Sequence, residues 1–342
     1  MRIRAIVLRI IRQFRHDKRT LAMMFAAPVF ILTLVSFIFN GATYSPKMGM
    51  TDIPPSIIEQ LSTQDVELLP YTDSEAMEAL KNNEIDAVIG IKDSVLQVQL
   101  EGSNPTKNKA VLMLIQKAFS PSVANAMGIA APHVSYLHGS VEMTAFDNFG
   151  PVLVGVFAFF FVFLIGGISF LRERTSGTLE RLLASPLRKW EIVCGYVAGF
   201  GVFTFLQSAL IVWFTVNVLG LMMEGSFGLL LLITLLLTMT ALTLGILLST
   251  YANNEFQMIQ FIPLVITPQI FFSGLFDLDT MAPWLRWLST IMPLKYGADA
   301  LRDIMIRGEG WNKIAPNAYL LIGLSLVFML LNILALRKHR RI

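Results

Sequence analysis

The densest run of chemically capable side chains is residues 171–192, where Arg172, Glu173, Arg174, Glu180, Arg181, Arg188, Lys189 and Glu191 stand together. Mixed charges of this kind make and break no bonds. They pair with one another or meet a charged partner surface. Elsewhere the spacing is poor for catalysis. His133 and His138 lie five apart with no companion ligand, so a zinc site is not expected. Glu75, Glu78, Asp86 and Asp93 carry no metal-ligand spacing and read as a solvated face. Cys194 is the one cysteine, which excludes an internal disulfide. No G-x-x-x-x-G-K-[ST] loop occurs, so the chain has no P-loop cradle for ATP.

The elements that position these residues are read from hydropathy. The 342 residues are 54% hydrophobic and 15% charged, against about 25% charged in a soluble domain. Six windows hold no Asp, Glu, Lys, Arg or His: residues 21–39, 151–171, 192–219, 228–250, 258–276 and 317–336. Each is long enough to cross about 30 Å of hydrocarbon as a helix. The expected fold is an α-helical integral membrane protein with six transmembrane helices. Proton and sodium relays need ionisable groups inside the membrane, so a self-sufficient ion-coupled transporter is not expected. Nor is an intramembrane protease. Any energy for transport must come from outside the chain.

Basic residues set the orientation. Sixteen of the 27 fall in residues 1–20, 172–191 and 337–342, with only five acids on that side. Both termini are therefore expected in the cytoplasm, with 337–342 a basic tail. The first window is too long for a signal h-region and no A-x-A site follows it, so it reads as a retained helix. In residues 1–20, Ile3, Ile6, Val7, Ile10, Ile11 and Phe14 share one helical face, and Arg4, Arg9, Arg12, Arg15 and Arg19 are placed on the other. This predicts an amphipathic helix lying in the inner interface, its arginines toward headgroups or a cytoplasmic partner.

Residues 40–150 form an insert with 13 acids, 6 lysines and no arginine, read as a small α+β extracytoplasmic domain between helices 1 and 2. Thr72 and Glu75 predict a capping box for a helix through Lys81. Residues 85–91 and 95–100 read as strands joined by a turn, and 110–119 as a helix stopped by Pro121. Residues 277–316 carry Trp284, Leu285, Trp287, Leu288, Ile291 and Met292 between prolines, which suits an outer interfacial or re-entrant segment. Pro263 and Pro268 should break or kink the fifth helix. The polar residues Thr204, Gln207, Ser208, Thr215, Asn217, Gln260 and Gln269 on the spans read individually as helix-to-helix glue, as do Gly166, Gly167 and Gly245 as packing sites.

The 171–192 string resembles the E-R-x-x-G-T-x-E-x-L-L-x-(S/T)-P-(x)n-E-I signature of ATP-binding cassette (ABC) transporter permeases of the type-2 exporter class. The matching positions are Glu173, Arg174, Gly177, Thr178, Glu180, Leu182, Leu183, Ser185, Pro186, Glu191 and Ile192. A second stretch is similar to the family's outer re-entrant motif: Phe272, Ser273, Gly274, Leu275, then Met281, Pro283, Pro293, Leu294, Tyr296, Arg302 and Gly308, with Ala282 splitting the usual Met-Pro pair. The large insert resembles the drug-resistance and multidrug-export branch. The resemblance implies a non-catalytic permease subunit in the bacterial cytoplasmic membrane. It implies a second permease subunit, as homo- or heterodimer, and two copies of a separate ABC ATPase that hold ATP and Mg. It also implies that residues 1–20 are a connecting helix, with Arg4, Arg9, Arg12 and Arg15 in it. Residues 172–191 would be the coupling loop, through Glu173, Arg174, Gly177, Thr178, Glu180, Leu183, Pro186, Trp190 and Glu191. The chain itself would bind no cofactor, no metal and no nucleic acid.

Glu173 and Glu180 are expected to pair within the loop with Arg172, Arg174 or Arg181, or to meet basic groups on the ATPase. The leading reading is export of a hydrophobic or amphipathic substrate such as a drug, antibiotic or lipid-like molecule. The alternative is a membrane sensor that binds a ligand outside and signals through a cytoplasmic partner. An impermeant amine label on intact cells should reach Lys81 or Lys92 and spare Lys189. Labelling of Lys189 instead would invert the topology.

Overall fold

The computed structural model describes residues 2–39, 45–51, 53, 55–62, 66–82, 84–92, 95–100, 105–118, 144–275 and 287–338. The chain divides into two compact units, Gly41–Val141 and the rest. It begins with two helices, α1 (Arg2–His16) and α2 (Lys18–Phe39). Asp17 separates them. Its carboxylate accepts the Thr20 backbone N–H at 3.1 Å and the Thr20 hydroxyl at 2.6 Å, an N-cap on α2.

The smaller unit contains β1 (Lys47–Thr51), α3 (Pro55–Ser62), β2 (Glu67–Pro70), α4 (Asp73–Lys81), β3 (Ala87–Lys92), β4 (Val95–Leu100) and α5 (Pro105–Ala118). Its sheet runs β2-β1-β3-β4, with β1 parallel to both neighbours and β3–β4 antiparallel. Met48, Ala87 and Ile89 pack on one face with Leu61 of α3 and Val111 and Leu114 of α5. Ile85, Val88 and Leu69 pack with Ala79 and Leu80 of α4. Glu75 accepts the Thr72 backbone N–H at 3.2 Å, as the capping-box pattern predicts. The expected strands and helices are present with shifted ends. Strands β1 and β2 and helix α3 went unread. Pro121, His133, His138, Asp93 and Ser94 lie outside the described residues.

The larger unit continues with α6 (Ala145–Thr175), α7 (Thr178–Ala184), α8 (Lys189–Asn217), α9 (Phe227–Ser249), α10 (Glu255–Leu275), α11 (Pro293–Met305) and α12 (Trp311–Lys338). Six of its helices are long and apolar enough to cross a membrane: α2, α6, α8, α9, α10 and α12. Helices α6 and α9 form the centre, with 67% and 61% of their apolar windows buried, against 22% for α2 and 17% for α12. Every span differs from its hydropathy window at one end or both, and two starts differ most. Helix α6 starts at Ala145 and α12 at Trp311, each six residues earlier than expected. Thr144 and Asp147 close a capping box at the start of α6, so a charged residue belongs to the helix rather than ending it.

Helices α6 and α9 meet backbone to backbone at Gly245. A Cβ there would lie 2.5 Å from the Phe163 carbonyl oxygen. Buried hydroxyls tie the same bundle. Ser208 and Thr238 share a hydrogen bond of 2.9 Å, Thr240 donates to the Leu321 carbonyl at 3.1 Å, and Asn332 donates to the Thr243 carbonyl at 2.9 Å. Thr204 and Thr215 bond back within α8. Gln207 is buried with neither amide atom bonded among the described residues.

The fifth span, α10, is not uniform, and near its end Gly274 has non-helical φ/ψ and kinks it. Residues Ile262–Ile266 and Phe271–Leu275 are π-helical, and Thr267 donates to the Ile262 carbonyl five residues back. Pro263 and Pro268 thus widen the helix instead of breaking it. Gly245→Val should cost about 1–3 kcal/mol by overpacking, read as a lower thermal unfolding temperature in detergent. Gly323 has nothing within 4 Å of its Cβ position, so Gly323→Ala should leave that temperature unchanged.

Candidate functional site

Three consecutive residues at the end of α6 reach three different parts of the unit. Arg172 is bidentate to Glu255 at the start of α10, at 2.6 and 3.3 Å, and lies 3.5 Å from Asp17. Glu173 turns inward, with only 4% of its side chain exposed. It accepts from Arg9 of α1 and, at 2.8 Å, from the Tyr196 hydroxyl of α8. Arg174 donates to the carbonyls of Thr250 and Ala252, which follow α9. Successive helical residues point about 100° apart, which is why one short run addresses three sets of partners. It is also why Glu173 does not pair with Arg172 or Arg174, contrary to the expectation from sequence.

Arg9 reaches Glu173 because α1 lies along α8. Ile6 meets Gly195, Ile10 meets Gly199, and Phe14 stacks on Phe203 at 4.8 Å. The centre of the apolar stripe of α1 is therefore spent on protein: Ile6, Ile10 and Phe14 are buried, while Ile3, Val7 and Ile11 are half-buried. This narrows the expectation of an interfacial helix, because the middle of its apolar side meets α8. It also corrects the placement of Arg9, which flanks the buried stripe, while Arg4, Arg12 and Arg15 are exposed. Burial alone would lower the Arg9 pKa. The hydrogen bond and charge of Glu173 outweigh it and raise the value, so the guanidinium stays charged. The Thr20 hydrogen bonds hold the Asp17 carboxyl below its usual value, with Arg172 adding to them against a small burial penalty.

Beyond α6 the chain makes a tight turn. Gly177 has φ +75°, a left-handed conformation that L side chains rarely adopt. Helix α7 follows, with Leu179 buried and Leu182 and Leu183 packed at its base. Ser176 and Thr178 share a hydrogen bond of 3.0 Å. The Ser185 hydroxyl donates to the Leu182 carbonyl at 2.6 Å, and Pro186 starts the link to α8. Glu191 accepts the Arg188 backbone N–H at 2.6 Å and lies 3.6 Å from Arg2, which also donates to the Pro186 carbonyl at 2.9 Å. Of the loop's three acids, Glu173 and Glu191 are thus engaged within the chain. Glu180 is exposed and has no hydrogen bond or ion pair among the described residues. Trp190 is 45% exposed, six residues beyond the end of α7.

Tyr196, Asp17 and Glu255 were not singled out from sequence. Tyr196 is hidden inside a charge-free window. Arg9 had a readable signal, since it stands three residues after Ile6 and so borders the apolar face.

A second constellation lies at the other end of α10. Gly274 has φ +86°, and its carbonyl accepts from Arg302 of α11 at 2.9 Å. Ser273 donates to the Ile270 carbonyl at 2.7 Å. Pro293 opens α11, and Gln269 accepts the next N–H, that of Leu294, at 3.1 Å. Tyr296 donates to the Thr290 carbonyl at 2.5 Å. Helix α11 has 13 residues, about 20 Å, too short to cross a bilayer. Its first turn packs near Gly155, and its last meets the turn before α9, where the Glu224 backbone N–H donates to the Met305 carbonyl at 3.0 Å. Gln269 is thus the pin between α10 and α11 rather than an isolated polar residue. Pro283, Trp284 and Leu285 lie outside the described residues, while Trp287 and Ile291 are exposed.

Comparison with known proteins adds the family. The chain is 28% identical over 205 residues to ABC transporter G family member 20 of Dictyostelium discoideum, covering 59% of this chain and 28% of that protein. It is 27% identical over 177 residues to the inner membrane transport permease YhhJ of Escherichia coli, covering 51% of this chain and 47% of the relative. It is 24% identical over 171 residues to the probable multidrug ABC transporter permease YbhR of Escherichia coli, covering 48% and 46%. The match thus spans about a quarter to a half of these relatives. A family profile described as ABC-2 family transporter protein matches residues 18–334. With six apolar helices inside that match, the chain is a multi-pass membrane protein and belongs to the ABC-2 family of transporter proteins.

Proposed function

We propose that this chain is the permease subunit of an ATP-driven exporter, and that α7 with its flanking turns is the surface that receives work from a separate ATPase. The observation that carries this reading is the bracing of that loop. Arg172, Glu173 and Arg174 fasten its root to α1, α8, α10 and the end of α9, while Glu180 stays exposed and unengaged among the described residues. A braced element moves as a unit when pushed. An exposed charge at its tip sets encounter and register with a basic partner surface. ATP and Mg would be held by two copies of that partner. Closure of the ATPase pair would press on α7, and the brace would tilt the attached helices as rigid bodies.

The remaining parts fit the same scheme. Both termini and the α7 loop lie in the bacterial cytoplasm, as the basic residues favour, and residues 40–150 lie outside. The described residues of the 277–316 segment, 287–316, would belong to an outer re-entrant region together with Ser273 and Gly274, with Pro293, Tyr296 and Arg302 among them. A second permease, identical or related, would sit against α10, whose exposed face carries Gln260, Thr267, Leu264 and Phe271. Polar groups on an otherwise apolar membrane face favour a protein neighbour or a pathway over lipid. The charge-free windows of the spans and the multidrug name of one relative support a hydrophobic or amphipathic substrate.

Two sets of variants separate the brace from the contact. Arg9→Leu leaves Glu173 buried without its cation. It should destabilise the protein by about 2–3 kcal/mol, below the full cost of breaking a buried pair because Arg9 is about one-third exposed. Tyr196→Phe removes one hydrogen bond to a carboxylate and should cost about 1.5 kcal/mol. Thermal unfolding in detergent reads both. Glu180→Lys or Pro186→Leu should leave membrane abundance near normal and weaken ATPase pull-down or substrate-stimulated ATP hydrolysis severalfold. If both of these assemble and transport like the parent, the loop is only a basic-side turn.

A further inference from the structure

Helix α1 leaves a second face unexplained. The centre of its apolar side is taken up by α8, and the contacts advance together: Ile6 at Gly195, Ile10 at Gly199, Phe14 at Phe203. The α8 residues it climbs belong to 192–219, which contain no charged side chain. The far end of α1 therefore reaches the level where the chain becomes suited to hydrocarbon. The first span starts there as well, at Lys18, one residue after α1 ends at His16 and Asp17 intervenes.

At that level Arg12, Arg15, Lys18 and Arg19 are all exposed. None makes a side-chain hydrogen bond or ion pair with a described residue. Asp17, the acid among them, is held by Thr20 and faces Arg172. Four cations within eight residues thus stand at the start of the first apolar span without a protein anion among the described residues. The anions available at that depth are lipid phosphates. Guanidinium groups grip phosphate through two parallel N–H donors, and basic clusters beside a first span gather anionic lipid.

We propose that the Arg12, Arg15, Lys18 and Arg19 face is a binding site for the phosphate groups of anionic phospholipids in the leaflet that α1 meets. Arg9 secures α1 from the protein side, and the lipid secures it from the other. Arg4 stands two turns or more before the cluster and is not part of the site. The proposal needs only a membrane-spanning chain, so it stands or falls apart from the exporter reading.

The test uses the full chain in nanodiscs of phosphatidylcholine alone or of an equimolar mixture with phosphatidylglycerol. Phosphatidylglycerol should raise the thermal unfolding temperature of the parent, less so at high salt, and should be retained in native mass spectrometry. Arg12→Gln, Arg15→Gln, Lys18→Gln and Arg19→Gln together should lower that retention at least about tenfold and abolish the thermal increment. Lysine in place of the three arginines should keep most of both, which separates lost charge from misfolding. Arg4→Gln should match the parent. Inorganic phosphate added to phosphatidylcholine discs should give no increment, since the site takes headgroups at the bilayer edge. A parent indifferent to phosphatidylglycerol overturns the proposal. So does a glutamine variant that keeps the lipid response, including one that loses only its capture of an acidic protein partner.

Discussion

A carboxylate buried at the end of an apolar bundle must be met by cations and donors fixed around it, and Glu173 sets that condition here. Its neighbours come from two other helices, Arg9 of α1 and Tyr196 of α8. Arg9 arrives only if α1 lies flat on α8. That approach in turn needs Gly195 and Gly199, where any side chain would collide with Ile6 and Ile10. Charge satisfaction and close packing are thus one requirement stated twice. Buried ion pairs add little net stability, because desolvation offsets the attraction. What Glu173 contributes is a defined position for α1.

The same logic extends sideways from Glu173. Arg172 and Arg174 place their guanidinium groups at two other helix junctions, the start of α10 and the carbonyls that follow α9. A cation at a helix C-terminus meets the negative end of the helix dipole and the unpaired carbonyls there. Three side chains on one turn of α6 therefore close the helical unit at this end. The loop that follows inherits a rigid root, and Gly177 turns it sharply enough for Leu179 to fold back into the core.

Much of this was legible from residues alone. The six spans, the amphipathic α1 and the capping box at Thr72 follow from periodicity and cap chemistry. The misses have physical causes. A window defined by the absence of charge stops short at Asp147, yet Asp147 is a capping residue whose second oxygen also accepts the Met222 N–H at 2.9 Å. Strand β1 reads Lys-Met-Gly-Met-Thr, too short and too poor in β-branched residues to signal itself; its two parallel partners create it. The partners of Glu173 were out of reach because they lie 164 and 23 residues away along the chain. Local pairing rules see only three or four residues in either direction.

The fifth span shows why tying down helix ends matters for motion. Helix α10 is held at its start by Arg172 through Glu255 and at its end by Arg302 through the Gly274 carbonyl. Between these clamps Pro263 and Pro268 remove two backbone donors, and the turns widen to a π register. A helix with firm ends and a loosened interior takes up strain in the interior. If α7 is pushed, Arg172 carries the displacement to Glu255, and the π segments are where the span can yield. On the proposed exporter reading, the far clamp would pass what remains to α11 through Gln269 and Arg302, so that a movement at one end of the unit would change the packing at the other.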